Sequence, residues 1–328
     1  MQLPIDPDAL LTTVTDVSEA RETPLSVSVY IDETASVELI AHIRSMFASS
    51  LPTVRMAVTY LSADFVPYPD DDIAIIIAGT SDLPGVCAAD LRHVGVPVMV
   101  ATTEPTRVSE LASRTGYDIP DGDLVHPIID EGEVEPVELN EENIQELDER
   151  IGRWIVSVSR EKQLSFAVAF PFMRRALARD YVFTTALQNA GIALIPFIPG
   201  ADLPILTLNQ AKMALQIAGA YGQEMDKNRL KELVVVLIGA YFSRSIVRKL
   251  VGKVPILGFI FRTGVAFGTT EAIGQALIEY FEGGEDVTGV ANVIERAAET
   301  GTKVASFTRE KTAQYAPVVA ELLPSKTA

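Results

Sequence analysis

An α/β domain followed by an all-α domain of helical hairpins is the fold class this sequence predicts, and three observations predict it. Short, near-continuous apolar runs alternate with amphipathic segments as far as residue 129, the pattern of a mostly parallel sheet covered by helices on both faces. From Phe166 onward the apolar residues recur at helical spacing, with Pro or Gly at each break. Charge divides along the chain as well: residues 1–150 carry 7 Arg, no Lys and 29 Asp or Glu, net −22, against 20 basic and 15 acidic residues in 151–328, net +5. At 328 residues with 48% apolar composition, two buried cores are affordable.

Residues 1–23 read as an acidic lead-in. The α/β domain, 24–129, opens with a β-prone run at Leu25–Ile31, followed by helical spacing over Ala35–Ser49 and a strand at Val54–Leu61. Apolar runs Ile73–Ala78 and Val96–Ala101 flank a helix near Pro84–His93; a helix near Val108–Arg114 and a strand at Leu124–Ile129 complete about five strands in Rossmann- or P-loop-like order. Residues 130–142 hold seven acids and no base, which marks them as an exposed linker. Asn140 is placed to cap a helix whose first turn carries Glu141 and Glu142 and which runs through Trp154 to Glu161. Helices then follow at Arg174–Ile195, Pro204–Tyr221, Lys227–Leu250 and Ile256–Glu282 within a helical domain of residues 143–284, and 285–328 form a polar tail.

Ligands of open α/β sheets bind beyond the carboxyl ends of the strands. Here those positions are Asp32 and Thr34, then Gly79, Thr80 and Ser81, then Thr102 and Thr103. They are candidate ligand-binding residues for a small molecule, and equally the Ser, Thr, Asp and Gly that turns and helix caps select. A phosphate loop needs glycines and a lysine, whereas the first strand ends in Asp32-Glu33-Thr34-Ala35-Ser36, whose carboxylates repel a triphosphate. The strand ending at Ala101 continues Thr102-Thr103-Glu104-Pro105, with no guanine-reading Asn-Lys-x-Asp. A sheet that keeps a GTPase-like strand order without these motifs is either a degenerate GTPase-like domain or an unrelated α/β domain.

Neither a metal nor another cofactor is expected. Asp70-Asp71-Asp72 read as a solvated loop; His42, His93 and His126 have no acid or thiol at ligand spacing, and Cys87 reads as a core residue without a basic neighbour. Trp154 reads as a packing anchor between domains. The acidic half is repelled by nucleic acid.

Tyr181–Ala201 runs 21 residues without a charge, but Pro196, Pro199 and Gly200 divide it into a helix, a turn and a second helix. Leu233–Ser243 is an 11-residue apolar run bracketed by Lys and Arg. Stretching it across a bilayer takes in charges costing on the order of 2–3 kcal/mol each at the centre. Asn209, Lys212 and Gln216 form a polar stripe, while Gly264 and Gly268, with Gly258 and Gly274 near them, permit close helix contact.

The turn Pro196-Phe-Ile-Pro199-Gly200-Ala-Asp202-Leu-Pro204, the helix start Gln210-Ala-Lys-Met-Ala214, Ile217-Ala-Gly-Ala-Tyr-Gly222 and Ile278-Glu-Tyr-Phe-Glu282 together resemble domain of unknown function 697. That helical module commonly follows a GTPase domain. The likeness covers residues 166–284 and implies membrane association, but the missing nucleotide motif keeps GTP hydrolysis from being carried over. The resulting expectation is a non-enzymatic, membrane-associated binding or regulatory protein, held peripherally or re-entrantly at the cytoplasmic membrane face, with a protein partner or a second copy of itself. A ligand-binding enzyme or sensor using the strand-end crevice is the second reading; an integral multi-pass protein is the third.

Overall fold

The structure, a computed structural model, describes residues 7–128, 134–194, 202–223 and 258–283. It divides into two compact units, one of Glu19–Leu177 and one of Met1–Ser18 with Ala178–Ala328.

In the first unit the strands are β1 (Leu25–Ile31), β2 (Val54–Tyr60), β3 (Ile73–Ile77), β4 (Val98–Ala101) and β5 (Leu124–Val125), all parallel in the order β2-β1-β3-β4-β5. The α/β class is therefore as expected. Its order is the 2-1-3-4-5 doubly wound one rather than the 3-2-1-4-5-6 of dinucleotide-binding sheets, and both reverse direction at a switch point. Ile73–Ile77 is buried at every position, because a central parallel strand has helices over both faces.

Helix α2 (Val37–Met46) links β1 to β2, whereas α3 (Leu83–His93) and α4 (Pro105–Thr115) follow β3 and β4. Right-handed crossovers running in opposite directions from β1 put α2 on one face and α3 with α4 on the other. On the latter face Tyr30, Ala74, Ile76, Val98 and Val100 meet Cys87, Ala88 and Leu91 of α3 and Val108 and Ala112 of α4. Local chemistry fixes the helix ends. Ser36 accepts the Leu39 N–H at 3.3 Å at the start of α2, and Gly116, at φ 79°, takes the left-handed C-cap of α4 that a Cβ disfavours.

Helices α5 (Glu141–Val158) and α6 (Gln163–Ala169) belong to this unit as well. Asn140 caps α5 as its sequence implies, accepting the Asn143 N–H at 2.9 Å. The contact division thus falls at Leu177, not within the acidic run at 130–142. Its physical reason is the amphipathic face of α5, whose Leu147, Ile151, Trp154 and Ile155 are buried. Trp154 and Asp123, whose carboxylate accepts its indole N–H at 3.2 Å, both belong to this unit, so that bond joins α5 to the sheet end within it. The Phe47 ring, at the end of α2, lies 5.1 Å from that of Phe170 in a tilted contact and 5.2 Å from that of Phe172 edge to face.

Two segments on the amino-terminal side carry more structure than the sequence implies. Residues 7–21 of the acidic lead-in form helix α1 (Pro7–Arg21), because Leu10, Val14 and Val17 recur at helical spacing, Leu10 and Val17 buried and Val14 partly so. The Asp70-Asp71-Asp72 loop is not simply solvated. Asp71 is buried and accepts from Arg55 at 2.9 Å and Ser26 at 2.7 Å, while Asp72 accepts from Lys162 at 2.6 Å. These bonds tie the amino ends of β1, β2 and β3 to the start of α6.

Helix α7 (Met173–Leu194), which enters the second unit at Ala178, and α8 (Asp202–Ala220) and α9 (Gly258–Glu282) within that unit match three expected helices. Leu10, Ala178, Val182, Met213, Ile217, Ile273 and Leu277 form its core. Gly274 is where α9 meets Val182, since a Cβ there would lie 2.2 Å from the valine Cγ2. At the heart of this packing the Thr270 hydroxyl accepts from Asn189 and Gln210, both at 2.9 Å, and donates to the Ala266 carbonyl at 2.8 Å. Each of its hydrogen-bonding positions is used. Asn209 turns to Asn189 at 3.0 Å, so the polar stripe of α8 is partly an interhelical contact. Among the described residues no helix is long and apolar enough to cross a membrane. Pro196, Pro199, Gly200, the 227–250 helix, the 233–243 run and the 285–328 tail lie outside the described residues.

Candidate functional site

The crevice sits at the carboxyl ends of β1 and β3, where the direction of chain progression reverses. Asp32 extends β1, donating its N–H to the Ile77 carbonyl at 2.9 Å, and its side chain is buried. One carboxylate oxygen accepts the Thr34 N–H at 3.0 Å and hydroxyl at 2.9 Å. The other accepts the Gly79 N–H at 3.0 Å, the Ser81 hydroxyl at 2.9 Å and the Ser81 N–H at 3.4 Å. Thr34 in turn accepts the Thr80 N–H at 2.7 Å. Five of the expected residues, Asp32, Thr34, Gly79, Thr80 and Ser81, are thus one bonded group.

A carboxylate offers about four lone-pair positions, so five donors saturate it. Backbone N–H groups at strand ends and helix starts are the groups that hold phosphate in nucleotide-binding sheets. Here Thr34, Gly79 and Ser81 give theirs to Asp32, and the chain's own anion fills the position. Gly79 is required by proximity: a Cβ would lie 2.3 Å from the Thr34 carbonyl carbon and 2.4 Å from the Ala35 nitrogen.

Thr102 and Thr103 do not join this group; among the described residues no hydrogen bond links them to it. Both are buried, Thr102 accepting the Glu104 N–H at 3.0 Å and the Thr103 carbonyl accepting the Val137 N–H at 2.9 Å. Beside them is a residue of the expected acidic linker. Glu135 accepts the Thr106 N–H at 2.8 Å and the Arg107 N–H at 3.2 Å, in the first turn of α4. Burial pushes its pKa up, but the Thr106 and Arg107 hydrogen bonds and His126 outweigh it, and the net direction is down. The signal was there to find: Glu104 supplies no side-chain cap to α4, so the orphan N–H groups required an acceptor from elsewhere.

Of the remaining candidates, Cys87 sits beneath the crevice in the core. Burial, then Asp90 and Asp32, push its thiol up to about 12, leaving it protonated and unreactive. His42 does have an acidic partner, since the fold brings Asp148 of α5 within 2.6 Å of its Nε2 across 106 residues of sequence. His126 bonds the adjacent Pro127 carbonyl through Nδ1 at 2.6 Å. Asp202 and Pro204 of the turn motif stand in the first residues of α8.

Fold and site define a doubly wound α/β protein whose switch-point loops are tied together by an internal carboxylate. No family model matches the chain, and comparison with curated proteins and with solved structures found no match for it either.

Proposed function

We propose that this chain is a non-enzymatic binding protein: an acidic α/β domain presenting a surface to a partner, carried by a helical module that associates peripherally with a membrane. The observation that carries the reading is the saturated Asp32 carboxylate, which accepts the Thr34, Gly79 and Ser81 N–H groups a nucleotide phosphate would need. A phosphate entering there would have to displace a buried charge from five donors and would leave two anions in contact. Seen this way, the α/β domain is a GTPase-like scaffold whose anion site has become a structural tie. The resemblance of residues 166–284 to domain of unknown function 697 supports the membrane part, as do the basic residues Lys227, Arg229, Lys231, Arg244, Arg248 and Lys249 beside apolar sequence. Each basic residue near an anionic lipid surface contributes roughly 1 kcal/mol.

Two measurements on the full-length protein test the reading. Titration with GTP and Mg²⁺, followed by thermal shift, is expected to leave the melting temperature unchanged; stabilisation that disappears in Asp32→Ala would overturn the scaffold assignment. Flotation with vesicles containing phosphatidylserine is expected to carry the protein up at low salt and release it in high salt or carbonate. Retention in carbonate would instead make the helices integral, and failure to float would remove the membrane from the proposal.

A further inference from the structure

The sheet ends at β2, and among the described residues no strand pairs with its outer edge. Its burial falls away along the strand, from half-buried Val54 and Met56 to Val58 at 48% and Tyr60 at 56% exposure. Leu51, Val66 and Tyr68, large apolar side chains on the flanking segments, are exposed too. Edge strands are ordinarily blunted by charges, Pro, bulges or a covering element. Here β2 pairs with β1 over all seven residues without a bulge, contains no Pro, and has Arg55 as its single charge. Arg55 is not turned outward as a guard: it reaches Asp71 at 2.9 Å and Ser26 at 3.1 Å, with its guanidinium 4.0 Å from the Tyr68 ring centre.

The ladder's phase shows which groups remain open. Leu25 donates to the Thr53 carbonyl and Leu61 donates to that of Ile31. Parallel pairing therefore consumes the backbone groups of Arg55, Ala57 and Thr59 and turns those of Met56, Val58 and Tyr60 to the outside together with the Val54 carbonyl, the Val54 N–H being taken by the Leu51 carbonyl at 3.1 Å. The outward residues also share one face of the sheet. If a second β2 runs antiparallel about a two-fold axis through Ala57, Met56 lies opposite Val58 and Val54 opposite Tyr60, an apolar ladder on one face in register with its own hydrogen bonds. Arg55 lies opposite Thr59 on the other face, so no like charges oppose one another.

Charge selects the same occupant independently. Residues 19–177 hold 27 acidic and 12 basic residues, net −15, so two copies repel over most approaches. The exception is residues 39–63, 25 consecutive positions without Asp or Glu, covering most of α2 and the whole of β2. This is the longest acid-free stretch in residues 1–150. It is the surface through which two acidic units meet with least repulsion.

We propose that β2 is the interface between two copies of this chain, which pair antiparallel about Ala57 to join two five-stranded sheets into one. Isologous closure of this kind leaves no free β2 edge. The inference rests on the sheet alone and stands whether or not the helical unit binds membranes.

Sedimentation velocity of the full-length protein over a concentration series gives the first test, with a concentration-dependent dimer expected. Val58→Pro removes an outward N–H while sparing the β1–β2 ladder, and is expected to weaken the dimer by about tenfold or more with an unchanged circular dichroism spectrum. Cross-linking provides the second test and does not depend on that variant folding. Opposed non-hydrogen-bonded residues have Cα atoms about 4.5 Å apart, within disulfide reach. Ala57→Cys is therefore expected to oxidise to a covalent dimer. Thr59→Cys, roughly 13 Å from its symmetry mate along the strands, is not expected to do so. Cys87 is buried and contributes no background. A monomer at every concentration without an Ala57→Cys cross-link overturns the proposal, as does a dimer that survives Val58→Pro with its fold intact, or cross-linking of Thr59→Cys as readily as Ala57→Cys.

Discussion

Replacing Asp32 separates a structural tie from a functional acid. Asp32→Ala strips the acceptor from three backbone N–H groups, of which that of Gly79 is buried, and from two hydroxyls that can rotate to other partners. Hydrogen bonds to a charged acceptor contribute about 1.5–3 kcal/mol each and are not additive within one group. Counting the N–H groups alone, at the low end, gives a loss of about 3–5 kcal/mol. Asp32→Asn is the sharper variant. Both carboxylate oxygens face a backbone N–H, Thr34 on one side and Gly79 on the other, so whichever way the amide turns its NH₂ confronts a donor. We expect Asn to cost about 2–3 kcal/mol rather than to act as a benign isostere. Trp154, the single tryptophan, lies in the same unit and reports its unfolding by fluorescence in urea. With a slope of about 2 kcal/mol/M, a 3 kcal/mol loss lowers the midpoint by about 1.5 M. An Asp32→Asn protein as stable as the parent, or more stable, would refute the reasoning, because acids kept for binding or catalysis commonly cost stability.

Gly79→Ala should destabilise the same transition more than Gly274→Ala destabilises helical unfolding followed by far-ultraviolet circular dichroism. The first Cβ meets backbone at 2.3–2.4 Å, the second a valine side chain that can move. Accordingly, Val182→Ala should restore much of what Gly274→Ala loses, roughly 1–3 kcal/mol, and additive losses would refute the contact. Because the folded pKa of Glu135 is depressed, its contribution to stability is present above its ordinary value near 4.5 and disappears as pH falls through the folded pKa. Urea midpoints of Glu135→Gln should therefore approach those of the parent as the solution is acidified, and a constant gap would count against the α4 cap. Cys87, with its thiol held near 12, should resist alkylation in native protein at mildly alkaline pH and react fully once unfolded. Stability from keeping it protonated is complete below its ordinary pKa of 9.0 and declines between that value and about 12.

Much of the fold was legible because its signals are local. Strand β1 was expected over Leu25–Ile31 and occupies those residues; the expected 174–195 helix differs from α7 by one residue at each end, and the expected 256–282 helix differs from α9 by two residues at its start alone. The cap at Asn140 also follows from near neighbours, as its acceptor and donor are three residues apart. Expectations failed where the partner was remote. An acidic tripeptide reads as solvated until Arg55, Ser26 and Lys162 arrive from three other elements, and His42 reads as unpartnered until α5 brings Asp148. Helix α1 was missed because a short run with Leu10 and Val14 packs only when a core is supplied from beyond residue 177.

The sequence by itself determined that this chain pairs a parallel α/β sheet with helices, since apolar period, caps and Pro or Gly breaks act over a few residues and need no distant contact. It also placed Asp32, Thr34, Gly79, Thr80 and Ser81 at strand ends. What those residues do was decided only by the tertiary structure. The β1–β3 register brings two loops 47 residues apart onto one carboxylate, and saturation is a property of all five donors at once. The bare edge of β2 is likewise invisible to composition, because exposure depends on which strand the topology leaves outermost.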